Sequence, residues 1–250
     1  MEVHHSHHPA HPKKWREHLL EFFMLFLAVT LGFVAENIRE HYVERMRADQ
    51  YLGQLVADLK EDTAKIDYCI RFKLHKEQQG DSIIQLLQEG ARTKDKSLLY
   101  YYSRILVIRE PFYGTEGTLN QLEHAGGLRI IENDSLIRKI NEYIAAKAKI
   151  YQIQNMQDFF ALPMAGLSGK IFDPAIYHRM LDTERNKDYP FFIRPPEKEV
   201  ALSVIDPRVL NEYAQSIGMV MTNEVYTRVL MGDLKEKASA LIHMIEKNRH

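Results

Sequence analysis

Apolar positions fall into three patterns along the chain. From Leu19 to Ala35 the run LLEFFMLFLAVTLGFVA is apolar on every side, interrupted only by Glu21 and Thr30. From Glu36 the spacing changes. Ile38, Tyr42, Leu52, Val56, Leu59, Ile66 and Ile70 recur at threes and fours with charges between them, the signature of an amphipathic helix. The third pattern is an absence of period: Pro163 to Pro207 holds six of the nine prolines and reads as an excursion, lid or partner-binding loop.

These patterns predict an all-α chain: one N-terminal transmembrane helix continuing into a long amphipathic helix, with a helical-bundle soluble domain. The divisions are a tail over 1–18, a span over 19–35 and a helical domain over 36–250. The long helix is expected over 36–79. A second long helix is expected over about 222–248, where Val225, Val229, Leu230, Leu234, Ala238, Leu241, Ile242 and Ile245 form a stripe behind a cap at Thr222 or Asn223. Two such helices at opposite ends of a domain commonly pair antiparallel. Shorter helices are expected from the capping residue Asp81 to Gly90, over SLLYYYSRILVI, and from Asn133 to Leu162, with Pro163 ending the last. Asn133-Asp134-Ser135 is also a formal glycosylation sequon, although capping is the expected role. Phe172, Tyr177, Phe191, Phe192 and Ile193 are expected to plug a core edge.

A helix of 17 residues reaches about 25 Å, close to the ~30 Å of hydrocarbon in a bilayer. A buried core helix is the competing reading, but a helix of a globular protein normally keeps a polar face, and this run has none. Trp15, with Lys13, Lys14 and Arg16, stands where interfacial anchors stand. Neither GFV nor FVA offers the paired small residues of a cleavage site, so the span is expected to stay attached. The tight basic cluster before the span, set against Arg39, Arg45 and Arg47 after it, favours a cytoplasmic N-terminus. In a bacterium with two membranes the bulk of the chain then lies in the periplasm.

On a helical projection Glu21, Leu25, Ala28, Gly32 and Ala35 share one stripe, while phenylalanines occupy much of the rest. Ala28 and Gly32 are a small-xxx-small pair, the spacing that lets two helices approach closely in lipid. The stripe is therefore the expected helix–helix interface in the membrane. Glu21 on that stripe reads either as a proton-linked or pore-lining acid, or as an interfacial carboxylate and hydrogen-bonding link between helices.

Composition narrows the chemistry. Thirty-three Lys plus Arg against 34 Asp plus Glu give a net charge of -1, which argues against a nucleic-acid partner. The single cysteine, Cys69, excludes disulfides within the chain and cysteine-rich metal sites. No phosphate loop, HExxH, nucleophile elbow or EF-hand pattern is present; no catalytic residue, cofactor or enzymatic activity is expected. His4, His5, His7, His8 and His11 are weak metal-ligand candidates. As a solvated tail they become cationic near pH 6 and meet anionic headgroups.

LLEFFMLFLAVTLGFVAENIRE with YLGQLVADLKEDT, and later GTLNQLEHAGGLRIIENDSLIRKINEYI, resemble an uncharacterised family of single-span bacterial inner-membrane proteins with a helical extracytoplasmic domain. The second segment matches at Thr118, Leu119, Leu122, Gly126, Leu128, Ile131, Asn133, Asp134, Leu136, Ile140 and Tyr143. The resemblance implies a bitopic inner-membrane protein. In physical terms Gly126 closes one helix, Asn133 or Asp134 caps the next, and Leu119, Leu122, Leu128, Ile131, Leu136 and Ile140 fill the core between them. No activity or catalytic residue is carried over.

The expected function is a membrane-anchored structural or interaction protein, with the lipid bilayer and either further copies of itself or a partner membrane protein as its partners. The alternative is a subunit of an ion-conducting or proton-driven membrane complex that uses Glu21.

Overall fold

Period-three-and-four spacing over long stretches, with few glycines inside them, leaves little option but helix. The computed structural model describes residues 15–89, 95–124, 126–181, 193–196, 200–204 and 206–248. Their regular structure is helical apart from one antiparallel bridge, Leu181 to Ile193. In order the helices are α1 (Trp15–Glu89), α2 (Lys96–Leu106), α3 (Gly117–His124), a 3-10 turn (Gly127–Ile130), α4 (Asp134–Asn155), α5 (Gln157–Ile171), α6 (Pro174–Arg179) and α7 (Pro207–Asn248). The histidine tract, Gly90, Phe191 and Phe192 lie outside the described residues.

The chain divides into two units, 1–50 and 51–250. In the first, α1 carries the apolar run, which stays in helix through Gly32 and returns the Thr30 hydroxyl to the Phe26 carbonyl at 2.8 Å. In the second, α1 and α7 pair antiparallel. Lys60 meets Glu246 and Lys235 meets Asp67, while Arg228 meets Glu77 through both guanidinium arms.

Two apolar cores fill this second unit. One gathers Leu55, Leu59 and Ile66 of α1, Leu136, Ile140 and Tyr143 of α4, and Leu234, Leu241 and Ile245 of α7. The other gathers Ile83 and Leu87 at the end of α1, Leu99 and Tyr100 of α2, Met164 and Ile171 of α5, and Tyr213 and Ile217 of α7. Leu119, Leu122 and Ile131 join the first core as expected, with Leu128 partly buried against it. Phe172 and Ile193 join the second, and Tyr177 packs on it.

Three expected boundaries are corrected. The long helix does not stop near Gln79, and Asp81 starts no separate helix: α1 runs on to Glu89. Gly80 lies inside it where α7 packs closely, since a Cβ there would fall 2.4 Å from the Met221 Sδ of α7. The C-terminal helix begins at Pro207, not near Thr222. Asp206 accepts from the Arg208 amide at 2.9 Å, and proline suits a first helical position because its missing N–H is one that would otherwise lack a partner. Thr222 bonds back to the Gly218 carbonyl inside the helix instead of capping one. Finally, Pro163 ends nothing. The break falls at Met156, between α4 and α5, and Pro163 sits inside α5 on its exposed side, where the carbonyl left without a proline N–H is open to solvent bonding. The start of the proline-rich excursion is therefore helical, and α6 follows behind an Asp173 cap that accepts from the Ala175 amide at 2.7 Å.

The Asn133 expectation holds. Its side-chain oxygen accepts from the Ser135 and Leu136 amides at 3.0 and 3.1 Å, opening α4. Gly126, after α3, takes the left-handed conformation at φ 73° that closes helices and that a side chain disfavours.

Candidate functional site

Among the described residues one helix, α1, is long and apolar enough to cross a membrane, and none of its apolar window is buried. Helical spacing puts Glu21, Leu25, Ala28, Gly32 and Ala35 on one face of it. All five are exposed, and a Cβ added at Gly32 would meet nothing within 4 Å. Glu21 lies 3.8 Å from the Nδ1 of His18, one turn back. Phe22 and Phe26 stack with ring centres 6.3 Å apart. Just beyond the run, Arg39 donates to both carboxylate oxygens of Glu36, at 2.9 and 2.5 Å.

The 51–250 unit holds polar chemistry that the sequence reading did not single out. Along α1 the first core ends at Cys69 and the second begins at Ile83. Between them the buried positions are Phe72, Lys73, Lys76, Gln79 and Gly80, three of them polar. On α7 the same interval holds Glu224 and Thr227, and across α4 and α5 it holds Gln154 and Gln157. A polar waist therefore separates the two cores. Lys73 and Lys76, with side chains 3% and 2% exposed, donate to the two oxygens of Glu224 at 2.5 and 2.7 Å. Lys76 also donates to the Ile108 carbonyl at 3.0 Å. Burial pushes the Lys76 ammonium below its usual range, opposed by Glu224. Burial also acts to raise Glu224, but the two lysines outweigh it and hold the carboxyl below its ordinary value.

A second network pins the loop between α2 and α3. Asp62 accepts from the Thr115 amide at 2.7 Å and from the Tyr143 hydroxyl at 2.6 Å. Lys147 pairs with Glu116 at 3.0 Å, and Tyr151 donates to Glu116 while accepting from the Gly114 amide. Burial, then the bond to Asp62, drives the Tyr143 phenol far above its usual range. Over this loop lies an open cleft of about 730 Å³. Its charged walls are already engaged: Arg109 bonds Asp158, the Gln154 carbonyl and Gln157, and Glu116 is held by Lys147 and Tyr151. The network holds a fold together and presents no nucleophile activated by a base.

Near α6 a smaller cleft of about 350 Å³ is walled by Ile176, Arg179, Met180, Arg194, Pro195 and Pro196. Among the described residues no group of three or more His, Cys, Asp or Glu side chains is placed to hold a metal. Cys69 is buried, and burial, followed by the Glu110 charge, pushes its thiol up to about 11; a thiol held protonated in this way is a poor nucleophile.

The buried polar residues did carry a signal. Lys73 and Lys76 continue the spacing of Ile66 and Cys69, Glu224 continues that of Ile217 and Met231, and Lys147 falls between Tyr143 and Ile150. Charges on inward stripes must find partners: Lys73 and Lys76 find Glu224, and Lys147 finds Glu116. Compared with known proteins, the chain matches no family model, no curated protein and no solved structure.

Proposed function

We propose that the protein is a membrane-anchored interaction protein, held by Leu19–Ala35 and assembling with copies of itself or with partner membrane proteins through the Glu21, Leu25, Ala28, Gly32 and Ala35 face. The observation that carries this reading is a contrast within one chain. The 51–250 unit buries its apolar side chains in two cores, whereas the apolar run of α1 is left wholly uncovered. An uncovered patch of this size marks a membrane or protein contact. The basic residues before the run support a bacterial inner-membrane protein with a cytoplasmic N-terminus and the bulk of the chain in the periplasm.

Carbonate extraction of native membranes tests the anchor. The protein is expected in the pellet, and the pair Leu27→Arg and Val29→Arg is expected in the supernatant, each arginine costing roughly 2.5–3.5 kcal/mol at a span centre. Wild-type protein released by carbonate would sink the reading. A reporter that folds only outside the cytoplasm, fused after His250, is expected to be active.

A second reading makes the protein a subunit of an ion-conducting or proton-driven complex. Glu21 favours it, because it shares a face with Ala28 and Gly32 and lies beside His18. Glu21→Gln is then expected to abolish proton-coupled activity in the assembly while leaving assembly intact; unchanged activity would remove this reading.

A further inference from the structure

The polar waist carries unequal charge. Lys73 and Lys76, almost wholly out of water, bring two positive charges, and the carboxylate between them, Glu224, brings a single negative one. Arg109, on the loop beside them, is matched by Asp158. Glu110, the next residue, acts on Tyr68 and Cys69, whereas the charges that act on Lys76 are those of Glu224, Lys73 and Arg109. Three cations therefore meet two carboxylates, and the surplus is held where an uncompensated charge is costly.

Hydrogen bonds repeat the imbalance. An ammonium has three N–H donors. Among the described residues Lys76 donates to Glu224 and to the Ile108 carbonyl, and Lys73 donates to Glu224, so both Glu224 oxygens are taken. Beside them lies a cavity of about 10 Å³, walled by Lys76, Arg109, Gln157, Asn223 and Glu224 and otherwise by apolar side chains. That is room for one particle about the size of a water molecule. Gln157 accepts from Arg109 through its oxygen, which leaves its amide N–H groups to donate. The Asn223 oxygen is buried without a donor, and half a turn of the amide puts N–H groups in its place.

We infer that this cavity is a binding site for one small monovalent anion of halide size, held by Lys76 and the Gln157 and Asn223 amides with Arg109 at the rim. The sign follows from the surplus positive charge. The size follows from the cavity, which is too small for the five heavy atoms of sulfate or phosphate. Burial, opposed by Glu224, already pushes the Lys76 ammonium down, and the Lys73 and Arg109 charges push it further. An anion beside Lys76 offsets both repulsions.

Thermal unfolding of the full-length protein in a nonionic detergent, followed by circular dichroism, tests the site. Chloride is compared at equal ionic strength with gluconate, which is too large to enter. Chloride is expected to raise the midpoint saturably, by about 3–6 °C at ten times its dissociation constant, and bromide to act likewise. Chlorine NMR of the same sample should show excess line broadening that bromide displaces. Lys76→Met leaves one lysine facing one carboxylate and is expected to fold and to lose both responses. Gln157→Leu leaves every charge in place and should weaken chloride binding about tenfold, through the loss of one hydrogen bond to a charge. Equal midpoints in chloride and gluconate, or no excess broadening, would mean that the cavity takes water only and overturns the inference. A response that survives Lys76→Met unchanged overturns it as well, because the ion is then bound elsewhere. Should Lys76→Met not fold, an unchanged response in Gln157→Leu is the overturning result.

Discussion

Glu224 is the residue on which most depends in the 51–250 unit. Its carboxylate is the counter-charge for two lysines whose side chains are almost fully out of water. Removing one member of such a cluster leaves a buried charge uncompensated, typically at about 3–5 kcal/mol. Glu224→Gln is therefore expected to lower the unfolding free energy by that order, measured by urea unfolding followed by circular dichroism. The pH dependence has a definite sign. Because the folded carboxyl lies below its ordinary value, its stabilisation is present above the unfolded value near 4.5 and is lost as pH falls through the folded one. The wild type should weaken with acid below that point, and Glu224→Gln should lose the share that Glu224 carries; an identical acid slope in both would refute the assignment. Gly114 is a second sensitive position, because a Cβ there would come within 2.9 Å of the Asp62 carboxylate and 3.0 Å of the Lys147 chain. Gly114→Ala should cost about 1–3 kcal/mol through forced repacking, read by the same unfolding curve. None of these roles was named by type in the sequence. Lys73, Lys76, Lys147 and Glu224 look like members of a solvated face when charges are read along the chain, and only their inward spacing marks them as buried. What the spacing leaves open is which helix faces which, because that is decided by packing across more than a hundred residues of separation.

At the scale of elements the legible parts were those with local causes. Asn133 precedes α4 with a side chain able to accept from the next amides, and it does so. Asn133→Ala is expected to cost about 1 kcal/mol, while Asn133→Asp, which keeps the acceptor, should cost little. Equal losses in thermal unfolding would mean that the cap is not the cause. Helix ends that depend on tertiary contact are not legible in the local sequence. Gly80 and Pro163 are helix breakers by propensity. Gly80 lies in α1 where α7 approaches closely at Met221, and Pro163 lies in α5 on an exposed face. Propensities of about 1 kcal/mol for glycine and about 3 for proline are small beside the burial of an entire helix face. Asp206 and Pro207 signalled the start of α7, but the surrounding prolines hid them.

The two cores and the waist between them decide how the whole 51–250 unit behaves. Both α1 and α7 pass through both cores: α1 contributes Ile66 to one and Ile83 to the other, and α7 contributes Leu241 and Ile217. Each core therefore packs on the same two helices, and the waist ion cluster ties these helices together at Glu224. The buried apolar residues begin at Ala48, and both cores lie from Leu52 onward. The prediction is that a chain starting at Tyr51 folds without detergent and unfolds in a single transition. Ile66→Ala in one core and Ile217→Ala in the other should each destabilise that same transition by about 2–5 kcal/mol, and neither should split it. Circular dichroism and tyrosine fluorescence recorded against urea make the check. Coincident curves in all three proteins are expected, because α1 and α7 run through both cores and the Glu224 ion cluster joins them between the two. Separation of the curves in either variant would show instead that the waist divides the unit into two independently folding halves.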